Sequence, residues 1–266
     1  MLVLCVIFAL MRFLFILVSF LCFFSCSEYQ KTLKSDDVAF KYTQAMQYYE
    51  NQDYARSLQL FESIITSFND LKKSEDVYYH YIYSNFYMKD YITAAYHFAN
   101  FNLKFPLSDK KEEMTFMLAY CQYLQSPRYT LDQEKTYEAL SNLQQFSTEY
   151  PNSNRMEEVN ELVLSLNKKL QKKEFEIVQL YYQTGRFPSA IYATDEFLTR
   201  FPETDYVEDV NFIQLQAYYE LGKNSIIEKK EQRIKEAIFA CDNFLLAFPS
   251  SNYKNEIESI YEKLKE

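Results

Sequence analysis

The chain repeats itself. An aromatic residue followed by proline recurs at Phe105-Pro106, Tyr150-Pro151, Phe201-Pro202 and Phe248-Pro249, with a proline-free version at Phe68-Asn69. Eleven residues before each aromatic stands a residue no larger than serine: Ser57, Ala94, Ala139, Ala190 and Ala237. Four residues before it stands Ile64, Phe101, Phe146, Phe197 or Phe244, and three before the small position stands Tyr54, Tyr91, Thr136, Phe187 or Ile234. Spacings of three, four and seven place residues on one face of a helix. Proline ends such a helix, because it has no N–H to donate and its ring clashes with the preceding turn. An offset held through five copies predicts five equivalent helices that end in the same register.

The copy over residues 168–202 shows what the repeating unit is. Leu166, Leu170, Ile177, Leu180 and Tyr181 mark an amphipathic first helix. Gly185 follows it, and glycine takes a left-handed backbone at little cost. Pro188 has a φ already suited to the first turn of a second helix, which runs through Ala190, Thr194, Phe197 and Phe201 to Pro202. The unit is therefore a helix–turn–helix hairpin. Aromatic-x-x-Ala with proline twelve after the alanine resembles the second helix of a tetratricopeptide (TPR) repeat. The expected fold is all-α: a right-handed superhelical solenoid of about five TPR-like hairpins over 37–266, closed by a C-terminal capping helix over 253–264.

Several boundaries depart from the regular hairpin. Residues 125–129 swell the third turn, and residues 223–231 read as a loop inside repeat five. The first helix of repeat four is expected over 155–184, roughly 45 Å at 1.5 Å per residue. Its middle, 166–173, is expected to protrude past its hairpin.

Composition removes most enzymatic readings. A chain of 266 residues, 48% apolar, can bury a large core, and two glycines with no tryptophan speak against sheet-rich or Gly-loop folds. Gly185 and Gly222 each follow a Tyr-Tyr pair and read as turn residues. A net charge of −9 argues against a nucleic-acid footprint. His80 and His97 lie inside helices without HExxH spacing, and no GxSxG, P-loop or CxxC motif occurs. No catalytic residue, metal site or cofactor is expected. Two clusters have both a binding and a bland reading. Tyr78, Tyr81 and Tyr83 either line a peptide groove or pack between helices. Lys168, Lys169, Lys172 and Lys173 form either a solvated face, with Glu176 supporting Lys172, or a docking patch for an acidic partner.

Residues 1–25 carry one charge, Arg12, and are otherwise almost wholly apolar. A membrane anchor, a cleaved secretory signal and a lipoprotein signal all fit such a run. Met11-Arg12 offers an alternative start with a basic n-region. Ser25-Cys26 resembles a bacterial lipobox, so Cys26 is the expected lipidation site, with 27–36 as a flexible tether. Of five cysteines, Cys121 and Cys241 are then left as buried free thiols.

Five such repeats behind a lipoprotein signal resemble the BamD (ComL/YfiO) family across essentially the whole mature chain. The resemblance is strongest at Tyr150-Pro151-Asn152-Ser153, Lys168 to Glu176, Tyr181-Tyr182 and Phe201-Pro202, and extends to Asp132-Gln133 through Ala139. The swollen third turn matches a family insertion. Phe23 in the lipobox, Asn69 in place of the first proline and the lengthened turn of repeat five depart from the pattern. The resemblance implies a non-enzymatic lipoprotein of the outer membrane, facing the periplasm. It would bind the POTRA domains of a BamA-like barrel insertase and help recognise unfolded outer-membrane protein substrates. A TPR adaptor lipoprotein of a pilus, peptidoglycan or cell-division complex would have the same architecture and differ only in its partners.

Overall fold

The computed structural model describes residues 28–265. After a short helical stretch at 28–33, the helices are α1 (Val38–Glu50), α2 (Tyr54–Ile64), α3 (Leu71–Tyr87), α4 (Tyr91–Lys104), α5 (Lys111–Gln125), α6 (Glu134–Glu149), α7 (Met156–Gln183), α8 (Phe187–Arg200), α9 (Val207–Lys223), α10 (Ile227–Ala247) and α11 (Lys254–Lys265). No strand occurs among the described residues. The helices pair in chain order into TPR-like hairpins, and successive helices pack on one another.

The repeat register is visible in the packing. Ser57, Ala94, Ala139, Ala190 and Ala237 are all fully buried, each where a larger side chain would hold two helices apart. Each aromatic of the aromatic–proline pairs makes the last helical bond of its helix. The amides of Phe105, Tyr150, Phe201 and Phe248 donate to the carbonyls of Phe101, Phe146, Phe197 and Phe244, all at 2.8 Å. The same pairs bring their rings within 4.8–5.3 Å, a separation at which aromatic pairs stabilise beyond their buried area. Three residues past each aromatic, a hydroxyl caps the next turn. Ser108, Ser153, Thr204 and Ser251 accept from the amide two residues on. Three of them also donate to the preceding first helix, at Glu75, Glu112 and Gln171.

Helix starts and turns follow local chemistry. Asp37, Asp53, Asp70 and Asp90 cap α1 to α4, each side chain accepting from the amide three residues on. The left-handed residue of the hairpin turn lies five before the small residue in three repeats: Gln52, Lys89 and Gly185, at φ 61, 63 and 72°. Gly185 is thus the turn residue its sequence position implies. Gly222 is not. It lies buried in the last turn of α9, and a Cβ there would stand 3.4 Å from the Arg233 carbonyl of α10. Its role is close backbone approach.

Three boundaries differ from the sequence reading. The second helix of repeat one ends at Ile64 rather than Phe68, where the β-branched run Ile64-Ile65-Thr66 lowers helix propensity. The loop of repeat five is three residues long, because α10 already begins at Ile227. The helix of repeat three starts at Glu134, where Asp132 accepts from its amide at 2.8 Å.

The described residues divide into two compact units. The first holds 28–126 with 135–156, and its core includes Leu60, Phe61, Phe98, Phe101, Phe116 and Phe146. The second holds 127–134 with 157–265. Its core joins Phe175, Val178, Phe197, Val210 and Ile213, and further along Phe212, Leu215, Ala237, Phe244, Ile257 and Ile260. The last two come from α11, which closes the apolar face of α10. Cys121 and Cys241 are free and buried, and burial pushes their thiols up to about 12 and about 11.

Candidate functional site

The lysine-rich stretch of α7 stands on a buried stripe. Leu166 and Leu170 are buried beneath it, and Phe175 continues the stripe one turn on. The swollen third turn, 127–134, belongs to the same compact unit and lies against this part of α7. Lys173 Nζ donates to the carbonyls of Leu131 and Tyr129 at 2.8 and 3.2 Å. Gln133 secures the turn from within, donating to the Arg128 and Leu131 carbonyls at 3.0 and 2.9 Å. The expected protrusion of 166–173 is therefore corrected. The residues that swell the turn cover this stretch of helix, and their carbonyls need a donor.

The four lysines consequently differ. Lys173 is engaged with the turn. Lys172 pairs with Glu176 at 2.7 Å and lies 6.0 Å over the Tyr129 ring and 5.8 Å over Phe175. Glu176 raises the Lys172 pKa, and so fixes its charge. Lys169 is half-buried, and desolvation lowers its pKa. Lys168 is exposed.

Tyr78, Tyr81 and Tyr83 are buried, and their hydroxyls are taken. Tyr78 Oη lies 2.9 Å from His97 Nδ1, Tyr81 Oη lies 3.4 Å from His97 Nε2, and Tyr83 donates to Glu113. Burial raises all three pKa values, that of Tyr78 to about 12. Packing between α3, α4 and α5 accounts for these rings; a groove would need their faces in solvent. The two histidines are likewise core-facing. His97 is kept below its ordinary pKa by burial and then by Lys104, and His80 stacks on Phe61 at 5.6 Å.

Cys26, the expected lipid acceptor, lies outside the described residues. Among the described residues no helix is long and apolar enough to cross a membrane. Nor do any three His, Cys, Asp or Glu there gather as a metal site. Sequence reasoning missed two clefts, between α7 and α8 and between α9 and α10. Their signal is an alanine three residues past the small register position, too common a residue to attract notice.

Comparison with known proteins gives one family and two individual likenesses. The family model described as outer membrane lipoprotein (YfiO) matches residues 35–234. The outer membrane protein assembly factor BamD of Vibrio cholerae serotype O1 is 27% identical over 101 residues, which covers 38% of this chain and 42% of that protein. Among solved structures, the TPR2AB domain of yeast Sti1 in its pHSP90 complex aligns with 86% of this chain and 98% of its own, at 12% identity and a TM-score of 0.40.

Proposed function

The chain belongs to the YfiO family of outer-membrane lipoproteins, and from that premise we propose that it is a non-enzymatic, lipid-anchored scaffold of outer-membrane β-barrel assembly, held through Cys26 and facing the periplasm. The observation that carries the reading is the family match across residues 35–234, which takes in four complete hairpins. The partially matching V. cholerae protein is named as an assembly factor of outer-membrane proteins, in keeping with this role. The scaffold binds the POTRA domains of a BamA-like barrel insertase and helps to recognise unfolded outer-membrane proteins. Stacked helix hairpins suit such work, because their surface is long and relies on side-chain recognition.

The lysine stretch of α7 is the proposed dock for an acidic face of the insertase. Lys168 and Lys169 carry that role, while Lys172 and Lys173 hold the neighbouring turn. Exposed charges of this kind steer encounter more than they add affinity, each pair contributing under about 1 kcal/mol. Affinity purification from detergent-solubilised envelopes tests the function: a barrel insertase is expected as the main co-purifying protein. Recovery of a pilus, cell-wall or division complex in its place would overturn the reading. Reversal of Lys168 and Lys169 to glutamate is expected to weaken capture, more at low salt than at high, with helicity unchanged. Equal capture at low ionic strength would leave the lysines as a solvated face.

A further inference from the structure

One cleft occurs twice. In repeat five, Asn211, Gln214 and Tyr218 of α9 face Phe239, Ala240 and Asn243 of α10 across a cleft of about 320 Å³. In repeat four, Glu174, Ile177 and Tyr181 of α7 face Tyr192, Ala193 and Glu196 of α8 across one of about 300 Å³. The first-helix residues of the two sets are 37 positions apart and the second-helix residues 47 apart, residue for residue. The two clefts are the same site, carried by consecutive hairpins of one compact unit.

The residue three past the small register position decides whether this site is open. It is Ala193 in repeat four and Ala240 in repeat five. The other copies place a larger group there. Leu60 is fully buried, His97 bonds Tyr78 and Tyr81, and Asn142 donates to Gln122 at 2.6 Å. Beside each open cleft an aromatic ring stands in solvent, Tyr192 at 67% exposure and Phe239 at 66%. Tyr96 shares that register and exposure, but in its repeat His97 fills the space behind it.

The rims are acidic. Asp195 and Glu236 border the repeat-five cleft, where no lysine or arginine is among the lining residues. Asp195 accepts from Gln214 at 2.6 Å and Glu236 from Gln232 at 2.9 Å, both neutral amides that leave the charges uncompensated. Both carboxylates bear on Tyr218, whose hydroxyl is raised first by burial and then by them. In repeat four, Arg200 pairs with Glu174 at 3.1 Å, and Glu196 adds a second carboxylate. An exposed ring beside a carboxylate complements a guanidinium, which stacks on the ring and forks onto the oxygens. A cleft of this volume is at the small end for a whole ligand and suits one long side chain.

We propose that the two clefts are paired pockets for one extended basic segment of a partner polypeptide, with an arginine seated in each. The pairing gives the segment two anchors on one rigid support, so the second seats at high effective concentration. The inference is independent of the assembly role, since it is tested with synthetic peptides on the intact chain.

The probes are fluorescent Gly-Ser peptides carrying two arginines about three to eight residues apart, a reach that an extended chain covers at about 3.3–3.6 Å per residue. Controls carry one arginine, or two glutamates. At one spacing the two-arginine peptide is expected to bind about tenfold or more tighter than the one-arginine peptide, and the glutamate peptide not to bind. Ala193→His with Ala240→His, which fills both clefts as His97 does in repeat two, is expected to abolish the advantage. Asp195→Asn, Glu196→Gln and Glu236→Gln together provide a second variant that changes charge without changing core volume, and it is expected to do the same. The proposal is overturned if no two-arginine peptide outbinds the single-arginine control, or if the charge-neutral variant binds as wild type does.

Discussion

His97 Nδ1 lies 2.9 Å from the hydroxyl of Tyr78, in the register position that alanine leaves open in the last two repeats. The ring stands edge-on to Tyr78 at 5.6 Å and to Tyr81 at 5.0 Å, so one imidazole closes both sides of the space between α3 and α4. A buried imidazole bonded to two phenols is held most easily in its neutral form. Lys104, whose Nζ lies 4.8 Å over the Tyr78 ring, adds a positive charge that further disfavours the imidazolium.

A pH dependence follows. The folded pKa of His97 is depressed below the ordinary 6.5, so the unfolded chain binds the proton more readily. This contribution to stability is fully present above the unfolded pKa and is lost as pH falls through the folded one. Urea unfolding midpoints at pH 7.5 and pH 5 are expected to differ more for wild type than for His97→Gln, which bonds but does not titrate. Equal pH slopes in the two proteins would remove His97 from the account.

Overpacking at the small position is expected to be costly. Ala190 has no exposed surface and sits where α8 meets its neighbours. Ala190→Phe adds a ring to a site with no room and costs about 1–3 kcal/mol or more. That corresponds to a fall in melting temperature of roughly 2–4 °C per kcal/mol in a chain of this size. A wild-type melting curve for the variant would show that the register alanine is not a packing constraint.

The parts of this fold legible in the sequence are those set by short-range chemistry in fixed register. Ala94, Phe101 and Phe105 announce a helix, its buried face and its end within twelve residues, and the same three roles recur in every later copy. The fate of Lys173 was not legible, because its partners Tyr129 and Leu131 are 44 and 42 positions away and expose only backbone carbonyls to it. Nor was the start of α10. Ile226-Ile227 continues no apolar stripe, and no capping side chain marks the turn. The clefts escaped because an alanine at position 193 or 240 has no chemistry of its own. Only the neighbours that stand back from it define the site.

Turn conformations give a paired prediction. Gly185→Ala places a Cβ at φ 72°, where nothing lies within 4 Å but the left-handed backbone itself costs about 1–2 kcal/mol. Lys89 already bears that strain at φ 63°. Lys89→Gly removes about 1 kcal/mol or more of it, while the added freedom of the unfolded chain costs about 0.5–1 kcal/mol. Chemical denaturation is expected to show a clear loss for the first variant and a change within about 0.5 kcal/mol for the second. A loss of equal size in both would mean that the side chains, and not the backbone angle, govern these turns.

The last prediction separates the structural lysine from the docking ones. Lys173 supplies a donor to two carbonyls of the swollen turn, and the only other side chain that bonds those carbonyls is Gln133, which also bonds Leu131. Lys173→Met keeps the length and most of the packing of the side chain while removing the ammonium. The Tyr129 carbonyl then turns to water, and the turn opens more often, since segments held by few bonds open at low free energy. Arg128 lies within that turn, so its peptide bond reports the opening through its rate of cleavage by trypsin. Lys173→Met is expected to raise the rate at Arg128 several-fold under native conditions, with global melting nearly unchanged. Lys168→Met, on an exposed side chain, is expected to leave that rate as in wild type. If both variants are cut at the wild-type rate, the bonds from Lys173 do not hold the turn, and all four lysines return to being candidates for the docking face.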